Sequence, residues 1–180
     1  FFKQKTAYEI KECDWSSDVC SSDLGMILRS TAPTRTESHA MGATWTFHCA
    51  GQIVFGPGAI GQLGEVATRL GIRSAHLISD KILDKAGIVE KARLPLRQAG
   101  IEVLVDLGGE PEPTWAAAMA CLGKARERKP DAIIGLGGGS NMDLAKLTAK
   151  CLTHGGEPGD YTGDDRLPGP ILPLICIPTT

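Results

Sequence analysis

Apolar positions along this chain come in short groups whose spacing changes from segment to segment. Residues 52–55 (Gln-Ile-Val-Phe) read as a short strand running into a Gly56-Pro57-Gly58 turn, after which Ile60, Leu63, Val66, Ala67 and Leu70 fall at helical spacing and Gly71 closes the helix. Residues 75–78 form a compact apolar run without polar alternation, the pattern of a parallel strand covered on both faces, and it ends at Ser79-Asp80. The helix that follows is expected to be interrupted at Gly87 and again at Pro95. Residues 103–105 make the next strand, the loop 108–113 stops it, and Thr114 is placed to cap a helix running from Trp115 to about Arg128. A strand over 131–136 then feeds Gly137-Gly138-Gly139-Ser140 and a helix through Met142, Leu144, Ala145, Leu147 and Ala149. A Gly-, Pro- and Asp-rich loop over 155–173 leads to a last strand, 174–177, and to Pro178-Thr179-Thr180.

Strand and helix alternate in units of roughly 30 residues, which predicts an α/β fold with a doubly wound parallel sheet, because parallel neighbours need a helical crossover. Ligands of such sheets bind at the carboxyl ends of the strands. Ser79-Asp80, Gly137 to Ser140 and Pro178 to Thr180 all belong there.

The order begins at about Trp45. Residues 25–44 are aperiodic and rich in Ser, Thr and Arg, and read as a loose arm before a start at Met26 or Met41. Residues 1–24 have neither a helical nor a strand period, and they resemble a translated sequencing adapter: back-translation of KQKTAYEI and DWSSDVCSSDL spells library-primer sequence. They are set aside as unstructured and foreign to the domain, which is taken as residues 45–180.

Composition narrows the function. The 180 residues carry a formal net charge of -2, which lacks the Lys/Arg excess that nucleic-acid backbones require. No stretch approaches the roughly 18 apolar residues of a membrane span. Six Cys without paired C-x-x-C spacing suggest neither a disulfide scaffold nor a zinc site, so a reducing, cytoplasmic setting is expected, with Cys49, Cys121, Cys151 and Cys176 as buried free thiols. His39, His48, His76 and His154 show no metal spacing and are read as incidental, and no nucleophile-plus-base constellation is visible.

The glycine triplet carries the most chemistry. Three glycines after an apolar strand let the backbone turn sharply and approach a ligand, while the following helix offers free N–H groups and the positive end of its dipole to an anion. A phosphate or pyrophosphate is the natural guest, and Ser140 can cap the helix or donate to a phosphate oxygen. The P-loop pattern, with Lys directly after the last Gly, is absent, which disfavours kinase-like phosphoryl transfer. Asp80 can accept the hydroxyls of an adenosine ribose and repel a 2'-phosphate, favouring NAD over NADP, or it can simply cap the next helix. Asp143 and Lys146, three apart on the helix after the glycines, form either a surface pair or part of the site.

Gly137 to Lys146, read as GGGSxxDxAK, together with Ile177-Pro178-Thr179-Thr180 and the early Phe55-Gly56-Pro57-Gly58-Ala59 turn, closely resembles the iron-containing (group III) alcohol dehydrogenases from about Thr46 onward. The resemblance implies a Rossmann-like dinucleotide-binding domain, followed by an all-helical domain that holds a divalent metal, iron or zinc, through one Asp and three His. The second domain is not in this sequence, so the chain reads as an amino-terminal fragment, not catalytic alone and without metal ligands or identifiable catalytic residues of its own. Carried over by position, Gly137, Gly138, Gly139 and Ser140 hold the pyrophosphate, with Asp143 beside them. Asp80 holds the ribose, and Thr179 and Thr180 lie near the adenine or nicotinamide half. Glu112 stands where relatives often have Asn. The implied reaction is reversible hydride transfer between a small alcohol or aldehyde and NAD, by a homo-oligomer when full length. A maleylacetate reductase, a glycerol dehydrogenase or a dehydroquinate-synthase-like enzyme would share this half. From another class, a nucleotide-binding module without chemistry is the alternative.

Overall fold

The structure, a computed structural model, describes residues 51–161 and 167–179. The arm, the adapter-like segment, Cys49, His39, His48 and Thr180 lie outside the described residues.

Four parallel strands, β1 (Ser74–Ile78), β2 (Glu102–Asp106), β3 (Ala132–Gly137) and β4 (Leu174–Pro178), form one sheet in the order β2-β1-β3-β4. All three pairings are in parallel register, with Leu77 opposite both Val105 and Ile134, and Gly135 opposite Cys176. The helices are α1 (Leu63–Arg69, entered through the 3-10 turn Ala59–Gln62), α2 (Lys81–Lys85), α3 (Ile88–Gln98), α4 (Trp115–Arg128) and α5 (Gly139–His154). This is the doubly wound parallel α/β architecture expected from the alternation.

Two apolar layers sandwich the sheet, because β1 and β3 are covered on both faces and alternate residues serve opposite sides. Ala75, Leu77, Ala132, Ile134 and Leu136 pack with Leu63 and Ala67 of α1 and Ala92 and Leu96 of α3. Ile78 and Ile133 pack on the other face with Ala118 and Cys121 of α4 and Leu144, Ala145 and Ala149 of α5.

Three local expectations need correction. Residues 52–55 are not a strand: they have no pairing partner among the described residues, and Ile53 and Phe55 are 77% and 89% exposed. An apolar run becomes a strand only when a neighbouring strand takes its N–H and C=O groups. Gly87, at φ 75, does separate α2 from α3, but Pro95 lies inside α3 without ending it. Its carbonyl is where α1 comes nearest: a Cβ on Gly64 would run into the Pro95 oxygen, so the helix pair needs glycine there. Lastly, α5 begins at Gly139 with Gly138 as its cap residue, two residues earlier than a Ser140 cap would allow.

Candidate active site: the crevice at the carboxyl ends of β1 and β3

The strand order reverses between β1 and β3. From β1 the chain crosses to β2 on one side, then passes back to β3 on the other. Crossovers therefore leave β1 and β3 in opposite directions and open a crevice at their carboxyl ends, the place where ligands of open parallel sheets bind.

The floor of this crevice is knitted by three polar residues. Ser79 donates its hydroxyl to Leu136 O at 3.0 Å, and its backbone N–H goes to Asp106 O at 2.9 Å. Asp80 caps α2, with Oδ1 accepting from the N–H groups of Ile82 (2.8 Å) and Leu83 (2.9 Å). Asn141, buried in the first turn of α5, donates from Nδ2 to both Asp80 Oδ2 (2.8 Å) and Leu136 O (3.0 Å). These bonds tie the loop after β1 to the start of α5. The β2 loop joins them through Gly109 N–H, which donates to Ser79 O at 2.9 Å. A side chain at Gly109 would collide with Asn141 Oδ1 and Ser79 O, and one at Gly137, at φ 139, would collide with the Asn141 amide. Asn141 is the residue that sequence reasoning missed. Its only signal was its place three residues after Gly138, where a side-chain amide can reach back over the preceding turn.

Asp80 is thus a helix cap that also anchors Asn141 in the floor of the crevice. Of the roughly four acceptor positions of its carboxylate, three are occupied and one is open.

The glycine turn has the anion-binding form. Gly138 caps α5 without a side chain, and no side-chain hydrogen bond closes the helix end. The first intrahelical donor recorded there is Met142 N–H, to Gly138 O at 3.2 Å. The N–H groups of Gly139, Ser140 and Asn141 precede the helical ladder and point outward with the positive end of a 16-residue helix. Ser140 is not the cap. Its half-buried hydroxyl accepts from Glu112 N–H at 3.4 Å. Thr179, exposed at the end of β4, donates its N–H to Gly137 O at 3.2 Å and so borders the same turn. Asp143 instead pairs with Lys146 at 3.1 Å on the exposed side of α5, the surface-pair arrangement.

Glu112 has a backbone φ of 56, in the left-handed region where Asn is enriched and Glu is strained. That conformation accounts physically for the Asn that the family resemblance places there. Substituting Glu112→Asn is expected to raise stability by about 0.5 kcal/mol and to tighten binding of any polyphosphate a few-fold, by removing a negative charge from the residue whose N–H meets Ser140. Thermal melts and a nucleotide titration check both halves; a looser nucleotide complex would contradict the charge argument.

A second polar group lies under α4, on the sheet face opposite α1 and α3. His76 of β1 and Asp106 of β2 are buried, and Asp106 Oδ1 accepts from Lys124 Nζ at 2.7 Å and from Gly108 N–H at 3.1 Å. Cys121 lies close by with its thiol pushed up to about 12, chiefly by burial, so it is no nucleophile. Cys121 and Cys151 are buried free thiols as expected, whereas Cys176 is exposed on β4. His154 meets Gly169 O at 3.2 Å. A cavity of about 340 Å³ bordered by Ser74, Glu102, Glu127 and Arg128 lies at the amino ends of β1 and β2, away from the crevice.

Comparison with known proteins agrees with this geometry. The family model described as iron-containing alcohol dehydrogenase matches residues 50–180. Long-chain-alcohol dehydrogenase 1 of Geobacillus thermodenitrificans is 41% identical over 138 residues, covering 72% of this chain and 35% of the relative. A crystal structure of 1,3-propanediol oxidoreductase superposes with a TM-score of 0.67 at 38% identity, over 69% of this chain and 33% of that one. The NADH-dependent butanol dehydrogenase A of Thermotoga maritima gives 0.67 at 29% identity, over 74% and 34%. The chain spans about a third of the length of the relatives it matches. With the glycine turn, the switch-point crevice and a family match over most of its length, this chain belongs to the iron-containing alcohol dehydrogenase family.

Proposed function

We propose that this chain is the dinucleotide-binding half of an NAD-dependent alcohol dehydrogenase that transfers hydride reversibly between a small alcohol or aldehyde and the nicotinamide. The observation that carries the reading is the unpartnered first turn of α5, set behind three glycines at the β1/β3 crevice. Gly137, Gly138 and Gly139 let the pyrophosphate approach the backbone, and the N–H groups of Gly139, Ser140 and Asn141 receive its oxygens. Asp80, with one acceptor position left, takes a ribose hydroxyl and repels a 2'-phosphate, which favours NAD over NADP. Thr179 borders the far side of the turn, Thr180 is retained from the resemblance as a cofactor contact, and Asp143, its charge offset by Lys146, marks the rim. When bound, the dinucleotide supplies the redox chemistry; the chain's own groups bind and orient it. The NADH dependence stated for the Thermotoga relative supports this choice of cofactor.

The divalent metal, iron or zinc, implied by the resemblance does not fit here. Its donor set is one Asp and three His, whereas the described residues include two His, His76 within β1 and His154 at the end of α5, and no such cluster. The whole enzyme is homo-oligomeric in this reading, as the resemblance implies, and cytoplasmic, as the cysteine spacing suggests. Among the described residues, no helix is long and apolar enough to cross a membrane.

Gly139→Asp tests the reading with effects of opposite sign. A Cβ at Gly139 meets nothing within 4 Å, and an acidic residue in the first turn stabilises a helix by about 0.3–1 kcal/mol, so the melting temperature is expected to hold or rise. The same carboxylate occupies the anion site, so NADH affinity, read by fluorescence titration against NADPH as the weaker competitor, is expected to fall at least ~10-fold. Unchanged NADH binding in this variant would remove the glycine turn from the site.

A further inference from the structure

The buried group under α4 is not used by the dinucleotide site, and its polar atoms are incompletely partnered. Both ring nitrogens of His76 and Asp106 Oδ2 are buried without a hydrogen-bond partner. His76 Nε2 faces Asp106 Oδ2 at 3.5 Å, and one ligand atom each from His76, Asp106 and Cys121 lies within 4.8 Å of the others. Buried polar groups left unpaired cost about 1–3 kcal/mol each, so such a constellation calls for an occupant. Three elements supply the donors: β1, the end of β2 and α4.

From this arrangement we propose that His76, Asp106 and Cys121 form a binding site for a thiophilic divalent cation of the zinc type, separate from the dinucleotide crevice. The donors are one imidazole nitrogen, one carboxylate oxygen and one thiolate sulfur. This mixture suits zinc or cobalt and disfavours magnesium and calcium, which select oxygen cages. Three protein ligands leave a fourth tetrahedral position to an exogenous donor. Lys124 occupies Asp106 Oδ1 and leaves Oδ2 free for the ion, as an outer partner does when it orients a ligating carboxylate. Charge balances as well: the divalent ion offsets the carboxylate and the thiolate, and the Lys124 ammonium, 53% exposed, carries its charge into solvent. Binding needs no redox partner. The thiol proton leaves to solvent as the sulfur–metal bond forms.

The test is a cobalt(II) titration of the full chain followed by absorption. A sulfur-to-cobalt charge-transfer band in the near ultraviolet and tetrahedral d–d bands in the visible are expected, displaced by zinc and unaffected by magnesium. The band is expected to vanish in Cys121→Ser. It should persist when Cys13, Cys20, Cys49, Cys151 and Cys176 are each replaced by Ser in one chain, which separates this sulfur from the others. His76→Gln is expected to weaken cobalt binding by more than ~100-fold, beyond the 10–100-fold that outer partners contribute. No thiolate band in the parent chain, or a band that survives Cys121→Ser, overturns the proposal. Should Cys121→Ser fail to fold, the five-fold Ser variant alone decides, since only Cys121 then remains to give the band.

Discussion

A chain carrying Gly135→Val is expected to lose about 3 kcal/mol of stability and, in the part that still folds, most of its affinity for NADH. Gly135 lies on β3 facing α5. A Cβ built there would stand 2.8 Å from Ala145 Cβ and 3.2 Å from Met142 Cα. The second contact is backbone and cannot swing aside, so the helix itself must retreat. Retreat carries Gly139, Ser140 and Asn141 away from the crevice, and the bonds from Asn141 to Asp80 and Leu136 go with them. Gly135→Ala is the milder case, and Ala145→Gly removes the atom it meets at the cost of about 1 kcal/mol for glycine in a helix interior. In the double variant the combined loss is expected to be smaller than the sum of the single losses by about 1 kcal/mol, because the two substitutions share one contact. Urea denaturation of the four chains measures this coupling. Strict additivity would mean that the close approach of α5 to β3 is not what requires glycine at this position.

The pair also shows what could and could not be read from the residues alone. The order of strands and helices was legible because buried parallel strands are continuous apolar runs and the helices between them carry clear start and stop residues, such as Thr114, whose Oγ1 accepts from Ala117 N–H at 3.2 Å. The place of the glycine turn was legible for the same reason. The way Asp80 divides its carboxylate between α2 and Asn141 was not, since it depends on contacts across 61 residues. His76 was read as incidental for lack of local metal spacing, yet it meets Asp106 and Cys121 through three elements that only the folded sheet brings together. Residues 52–55 misled in the opposite sense: their apolar character is local, but a strand is made by its neighbour.

Lys124→Met, in chelator-treated protein, is expected to destabilise the fold by about 2 kcal/mol at pH 7, a loss that fades only as pH falls through the depressed folded value of Asp106. Burial by itself would raise the Asp106 carboxyl, but the facing His76 ring and the Lys124 ammonium outweigh it and hold the group well below the usual carboxylate range. A carboxyl depressed on folding contributes stability that is fully present above its unfolded value of about 3.9 and is lost as pH falls through the folded value. The parent chain therefore weakens progressively below about pH 4. Without Lys124 the desolvation of a nearly inaccessible carboxylate is no longer offset, the group titrates higher, and its burden on the fold is relieved by protonation instead of increased. The two stability curves should converge on the acid side. The magnitude is kept toward the low end of the 3–5 kcal/mol typical of a broken buried pair, because Lys124 is half exposed and solvent screens it. Asp106→Asn supplies the control: in that background Lys124→Met should cost little at any pH. Denaturation curves of the parent, the two single variants and the double variant at about pH 7 decide the matter. A loss equally large in the Asp106→Asn background would assign Lys124's role to the packing of its aliphatic stem instead of to its charge.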